Sequence, residues 1–165
     1  MSIISFIKEA GEKLFGHAAA PAAPSAADAG KLQEKSAQAN QAAAKAIENY
    51  IATQNLKVDG LTVEYDGAQA AVTVSGVAPD QATKEKVLLC CGNVDGVGKV
   101  NDMMTVQQPA EESRYYTVVR GDTLSAIAKK QYGNANDYMK IFEANKPMLS
   151  NPDKIYPGQL LRIPA

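Results

Sequence analysis

Apolar residues Ile3, Ile4, Phe6, Ile7, Ala10, Leu14 and Phe15 recur at three- and four-residue steps, with Lys8, Glu9, Glu12 and Lys13 mostly on the opposite side. That spacing predicts a short amphipathic helix over residues 1–15. Such a helix is marginal alone in water and must pack on something. Docking on the chain's own domains is expected, because two lysines balanced by two glutamates make a poor lipid anchor. Residues 16–30, GHAAAPAAPSAADAG, carry two prolines and no bulky apolar side chain, so they read as an Ala/Pro-rich linker. From Lys31 to Thr53 helix formers dominate, and the apolar side sharpens only at Ala43, Ala46, Ile47, Tyr50 and Ile51.

The period then changes to two. Leu61, Val63 and Tyr65 alternate, Asp66-Gly67 marks a turn, and Ala70, Val72 and Val74 alternate again, with Gly76 expected to end the second strand. Pro79 is expected in the first turn of an amphipathic helix, DQATKEKVLLCC, which Gly92 would close as a left-handed cap. Asp95-Gly96 and Gly98 turn into a strand from Lys99 to Val106. The order over residues 31–107 is helix, strand, strand, helix, strand. Residues 108–114 read as a polar linker. Residues 115–165 read as a strand from Tyr115 to Val119, a helix LSAIAKKQY capped by Asp122 or Thr123 and stopped by Gly133, a helix from Asp137 to Asn145, and a strand from Leu160 to Ile163. The fold class is therefore α+β, with an N-terminal amphipathic helix followed by αββαβ and βααβ units.

Composition narrows the chemistry. With 17 basic and 18 acidic residues the chain lacks the basic surplus of a nucleic-acid binder. Residues 115–165 carry a net +3 and residues 1–114 a net −4, which favours contact between the two parts. One histidine, His17, excludes mechanisms that need two imidazoles and most histidine-based zinc sites. The cysteines Cys90 and Cys91 are adjacent, so they cannot staple distant segments, and their apolar run reads as buried core. No Walker loop, GxGxxG, GxSxG, HExxH or EF-hand spacing is present. A non-enzyme is expected. The start has no basic n-region, and no stretch nears the ~20 apolar residues of a membrane span. The expectation is a cytoplasmic monomer with no nucleic-acid partner and no membrane span.

The segments YTVVRGDTLSAIAKKQYG, IFEAN and NPDKIYPGQLLRIP resemble the LysM domain over essentially all of residues 115–164. The alternating hairpin, VTVSG and GNVDGVGKVND resemble the BON domain. Together with the N-terminal FIKEAGEKLF they resemble the small cytoplasmic potassium-binding proteins of bacteria, which share this three-part layout.

Potassium is large and singly charged, and a selective site replaces its water with neutral oxygens, chiefly backbone carbonyls. Carboxylate clusters would favour Ca²⁺ or Mg²⁺ instead. Carbonyls become available where regular hydrogen bonding stops. Two places qualify: the segment around Gly11, and the turn from Gly92 to Val97. The resemblance implies K⁺ held by the carbonyls of Ile7, Ala10 and Glu12 from the first and of Gly92, Val94 and Val97 from the second, with ion-dependent domain docking and an ion-sensing role. Gly92 as a cap and Gly96 as a turn residue also explain themselves without any ion. The LysM resemblance implies a different alternative, an envelope protein that binds peptidoglycan or another N-acetylglucosamine polymer. Its groove would use Gly121, Asp122, Thr123 and Leu124, with Asn145, Lys146, Pro147 and Met148 opposite. The competing reading of those residues is structural: Asp122 and Thr123 cap a helix, and Pro147 shapes a loop.

Overall fold

In the computed structural model, residues 26–165 are described. The expected helix over residues 1–15 lies outside that range. Helix α1 spans Ala26–Thr53, starting five residues before the expected Lys31. The alanines that follow the last proline of the linker, Pro24, are strong helix formers, which accounts for the earlier start. Its last three turns bury Ala43, Ala44, Ile47, Tyr50 and Ile51, whereas Ala46 faces solvent.

Strands β1 (Asp59–Asp66) and β2 (Ala71–Asp80) form the predicted antiparallel hairpin. The Asp66 carboxylate shapes the turn by accepting from the Ala68 and Gln69 N–H groups, and the Asn40 side chain of α1 accepts from Gly67 N–H. Gly76 does not end β2. It sits inside the strand at φ +142°, beside the shift in register between Asp59 and Thr62. A Cβ there would lie 2.7 Å from Val58 Cγ1 and 3.2 Å from the Asp59 carbonyl oxygen, so only glycine fits this irregularity. Pro79 likewise stays in β2. Asp80 is the helix cap, its carboxylate accepting from Thr83 N–H at 2.7 Å.

Helix α2 (Gln81–Gly92) carries the chain over to β3 (Lys99–Gln108), which pairs in parallel with β2. A parallel neighbour cannot follow a tight turn and needs such a crossover. The sheet order is β1-β2-β3. Val63, Val72, Val74, Ala78, Val87, Cys90, Cys91 and Met104 close the core with α1. Both thiols are buried as the sequence suggests. Burial pushes both up, Cys91 to about 12, so neither is a thiolate at neutral pH.

The second unit pairs β4 (Arg114–Thr117) antiparallel with β5 (Leu160–Ile163). Packed on them are α3 (Leu124–Tyr132), a 3₁₀ turn Ala135–Asp137 and α4 (Tyr138–Ala144). Thr123, not Asp122, caps α3, and Gly133 ends it in the left-handed conformation as expected. Val118, Leu124, Ile127, Ala128, Ile141, Phe142, Leu149, Leu161 and Ile163 form a separate core.

Helix α2 is buried on two faces rather than one. Val87, Cys90 and Cys91 join the first core. Gln81, Glu85, Leu89 and Gly92, at steps of four, four and three, form a second stripe turned toward β5. On that stripe Glu85 is 2% exposed. Its carboxylate pairs with the Arg162 guanidinium at 2.5 Å and accepts from Ser113 N–H at 2.8 Å and the Gln81 amide at 2.9 Å. The segment expected to be a polar linker therefore ends pinned at Ser113. Burial alone would push the Glu85 carboxyl up, but these hydrogen bonds outweigh it and hold the group below the usual carboxylate range.

A buried ion pair is costly to break by halves, because the remaining charge loses its partner. Arg162→Met should lower unfolding stability by about 3 kcal/mol, and the double variant Glu85→Leu/Arg162→Met by clearly less. Denaturant unfolding of the three proteins checks this. Because folding depresses the Glu85 pKa, its contribution is present above the unfolded value of ~4.3 and is lost as pH falls through the lower folded value. Glu85→Gln should therefore flatten the acid limb of the stability–pH curve, measured by thermal unfolding from neutral pH downward.

Candidate functional site

Of the six carbonyl donors implied for potassium, Ile7, Ala10 and Glu12 lie outside the described residues. Gly92, Val94 and Val97 share one turn between the end of α2 and the start of β3. Gly92 is the last residue of α2 and is not left-handed. The C-cap is Asn93, at φ −95° and ψ 3°. Gly92 is glycine for a steric reason, since a Cβ there would meet Leu160 Cδ2 of β5 at 2.9 Å.

The turn's hydrogen bonds fix where its carbonyls point. Asn93 N–H donates to Leu89 C=O at 3.1 Å, and Val94 N–H to Cys91 C=O at 3.3 Å. A trans peptide plane directs its C=O opposite its N–H, so the first bond turns the Gly92 carbonyl away from the helix. Gly98 N–H donates to Ala70 C=O at 2.7 Å and so orients the Val97 carbonyl by the same rule. Val94 C=O accepts from Val97 N–H at 3.1 Å, which uses one of its two lone pairs. The Gly96 carbonyl accepts from the Tyr65 hydroxyl at 3.3 Å. The turn is thus a braced run of main-chain oxygens, a donor type that suits a large monovalent cation. Among the described residues no cluster of His, Cys, Asp and Glu could hold a metal ion.

The second unit closes over one side of this turn. Asn93 Nδ2 donates to Leu160 C=O at 3.0 Å, while Asn93 Oδ1 accepts from Leu160 N–H at 2.7 Å. The same Nδ2 also reaches Leu89 C=O at 3.1 Å. Tyr156 lies close to Asp95, and its phenol is pushed up first by burial and then by that carboxylate. Met148 packs against the first core, its sulfur 3.3 Å from Cys90 Sγ. None of these contacts was visible in the sequence pattern. Asn93 in particular reads there as an ordinary turn residue.

The implied glycan residues are largely committed to the fold. Asp122 accepts from the Tyr116 hydroxyl at 2.9 Å and Val119 N–H at 3.0 Å, and Thr123 caps α3. Leu124 is in the second core. Asn145 is 1% exposed, with its amide donating to Ile141 and Arg162 carbonyls and accepting from Arg162 N–H. Gly121, at φ +92°, and Pro147 remain exposed, but Met148 faces the first unit. No described helix is long and apolar enough to cross a membrane.

Comparison with known proteins bears on both units. Residues 37–108 match the BON domain family and residues 116–164 the LysM domain family. A 50-residue stretch, 30% of the chain, is 55% identical to 19% of an uncharacterized protein of Deinococcus radiodurans. A stretch of 58 residues is 40% identical to part of the uncharacterized protein YqbP of Bacillus subtilis, covering 30% of this chain and 26% of YqbP. The potassium binding protein Kbp of Escherichia coli O6:H1 is 45% identical over 165 residues, 99% of each chain. A BON unit and a LysM unit, matched end to end at that identity, make the chain a member of the Kbp family.

Proposed function

We propose that this protein is a monomeric, non-enzymatic, cytoplasmic potassium-binding protein that works as an ion sensor. In this reading the backbone carbonyls of Ile7, Ala10 and Glu12, from an amphipathic segment over residues 1–15, meet those of Gly92, Val94 and Val97 around K⁺. A linker over residues 16–30 joins that segment to a BON unit over 31–107, followed by residues 108–114 and a LysM unit over 115–165. Ion binding docks the N-terminal segment and the two domains. The observation that carries the proposal is the end-to-end similarity to a potassium binding protein. The braced turn supports it, because a run of neutral main-chain oxygens is the donor type that replaces the hydration shell of K⁺.

The glycan alternative is less well supported. Two of its eight residues, Leu124 and Asn145, are buried and occupied within the fold. Cell fractionation followed by a cell-wall pull-down tests it directly, and recovery of the protein on peptidoglycan would favour it.

Calorimetric titration of the full chain with KCl should give saturable binding, and NaCl at equal ionic strength should give none. Equal responses to both salts, or no response, would sink the proposal. Glu12 enters through its carbonyl, so Glu12→Gln should change K⁺ affinity little, whereas deletion of residues 1–15 should weaken it about tenfold or more, a loss of at least ~1.4 kcal/mol.

A further inference from the structure

Two asparagines close the same strand edge. Asn93 caps α2 and Asn145 caps α4, and each side-chain amide donates to the carbonyl four residues back in its own helix, Leu89 and Ile141. Each then forms a paired donor–acceptor contact with a β5 residue, Leu160 for Asn93 and Arg162 for Asn145. Leu160 and Arg162 are two apart, so both direct their main-chain groups to the edge that β4 does not occupy. Asn145 does this within the LysM unit. Asn93 does it across the boundary between the two units.

Capping α2 needs only the bond to Leu89. The other two contacts of the Asn93 amide go to Leu160, and Gly92 beside it leaves room for the Leu160 side chain. Asn93 also stands between Gly92 and Val94, two of the implied ion ligands. Its N–H shares a rigid peptide plane with the Gly92 carbonyl, so displacing Asn93 re-aims that oxygen. We propose that Asn93 is the positioning residue through which the Gly92–Val97 turn and the LysM unit hold each other in place, coupling K⁺ affinity to the docking of β5. This inference rests on the potassium reading above. Coupling of this kind is reciprocal: whatever loosens β5 weakens the ion, and the ion tightens β5.

The test combines calorimetric K⁺ titration with amide hydrogen exchange, on the full chain and three variants. In the wild type, KCl should slow exchange at Leu160 as well as at Val94 and Val97. Asn93→Ala should weaken K⁺ binding about tenfold, as expected for losing its two neutral hydrogen bonds to Leu160, and remove the KCl response at Leu160. Asn93→Asp keeps the acceptor for Leu160 N–H but loses the donor, and should fall between the two. Gly133→Ala strains the left-handed end of α3, away from the turn, and should lower LysM stability with K⁺ affinity unchanged. A loss of affinity in Gly133→Ala equal to that in Asn93→Ala would reduce Asn93 to general stabilisation and overturn the proposal. Normal affinity and a normal Leu160 response in Asn93→Ala would overturn it as well. The ion-free arm separates the two readings. If wild type ignores KCl, yet Asn93→Ala speeds exchange at Leu160, Val94 and Val97 together, the mechanical coupling stands and the potassium assignment falls.

Discussion

A strand edge leaves a row of main-chain donors and acceptors without partners, and the unpaired edge of β5 is the constraint around which this protein is arranged. A two-stranded ribbon of four-residue strands cannot protect that edge by itself. Among the described residues no third strand is recruited. The ends of two helices approach instead, and a single asparagine from each supplies the donor and acceptor that a neighbouring strand would have presented. One of those helices belongs to the BON unit. The Leu160 end of the LysM edge is therefore covered where the two units meet, and the Arg162 end from within the LysM unit.

Around that contact the remaining features follow. Helix α2 must serve the BON sheet on one side and β5 on the other, so it cannot be amphipathic in the ordinary sense. Its second stripe carries a charge, Glu85, whose burial is offset by hydrogen bonds from three directions. Met148 fills the first core from the LysM side with a polarizable side chain suited to an irregular gap. The turn proposed to hold potassium lies at the C-terminal end of the same helix. Position in the fold, more than any reactive side chain, gives that turn its importance.

Much of the architecture is legible in the sequence because it is written in local signals. Asp66-Gly67 marks the hairpin, the run from Leu124 to Tyr132 between Thr123 and Gly133 marks a helix, and the alternation of Val72 and Val74 marks a strand. The errors fall where a glycine, a proline or a polar residue answers to something distant in the chain. Gly92 resembles a left-handed cap, but its missing side chain makes room for Leu160. Gly76 resembles a strand terminator, but it accommodates an irregular register with Val58 and Asp59 nearby. Asn93 reaches a partner 67 residues away and Glu85 one 77 residues away, distances that no periodicity encodes. The same reasoning explains why the implied ion ligands came from resemblance: a carbonyl is present at every position, so residue identity says little about which ones bind.

The pinned Ser113 carries a further consequence. Only residues 109–113 separate the end of β3 from the start of β4, so the BON and LysM units are held within a few residues of their docked positions. A tether that short gives each face a high effective concentration of the other, in the millimolar range typical of short linkers. An interface of few contacts, among them one ion pair, one asparagine contact and one methionine, can therefore form readily within one chain. Cut at that tether, the same two surfaces would have to find each other by diffusion, without the effective concentration that the linker supplies.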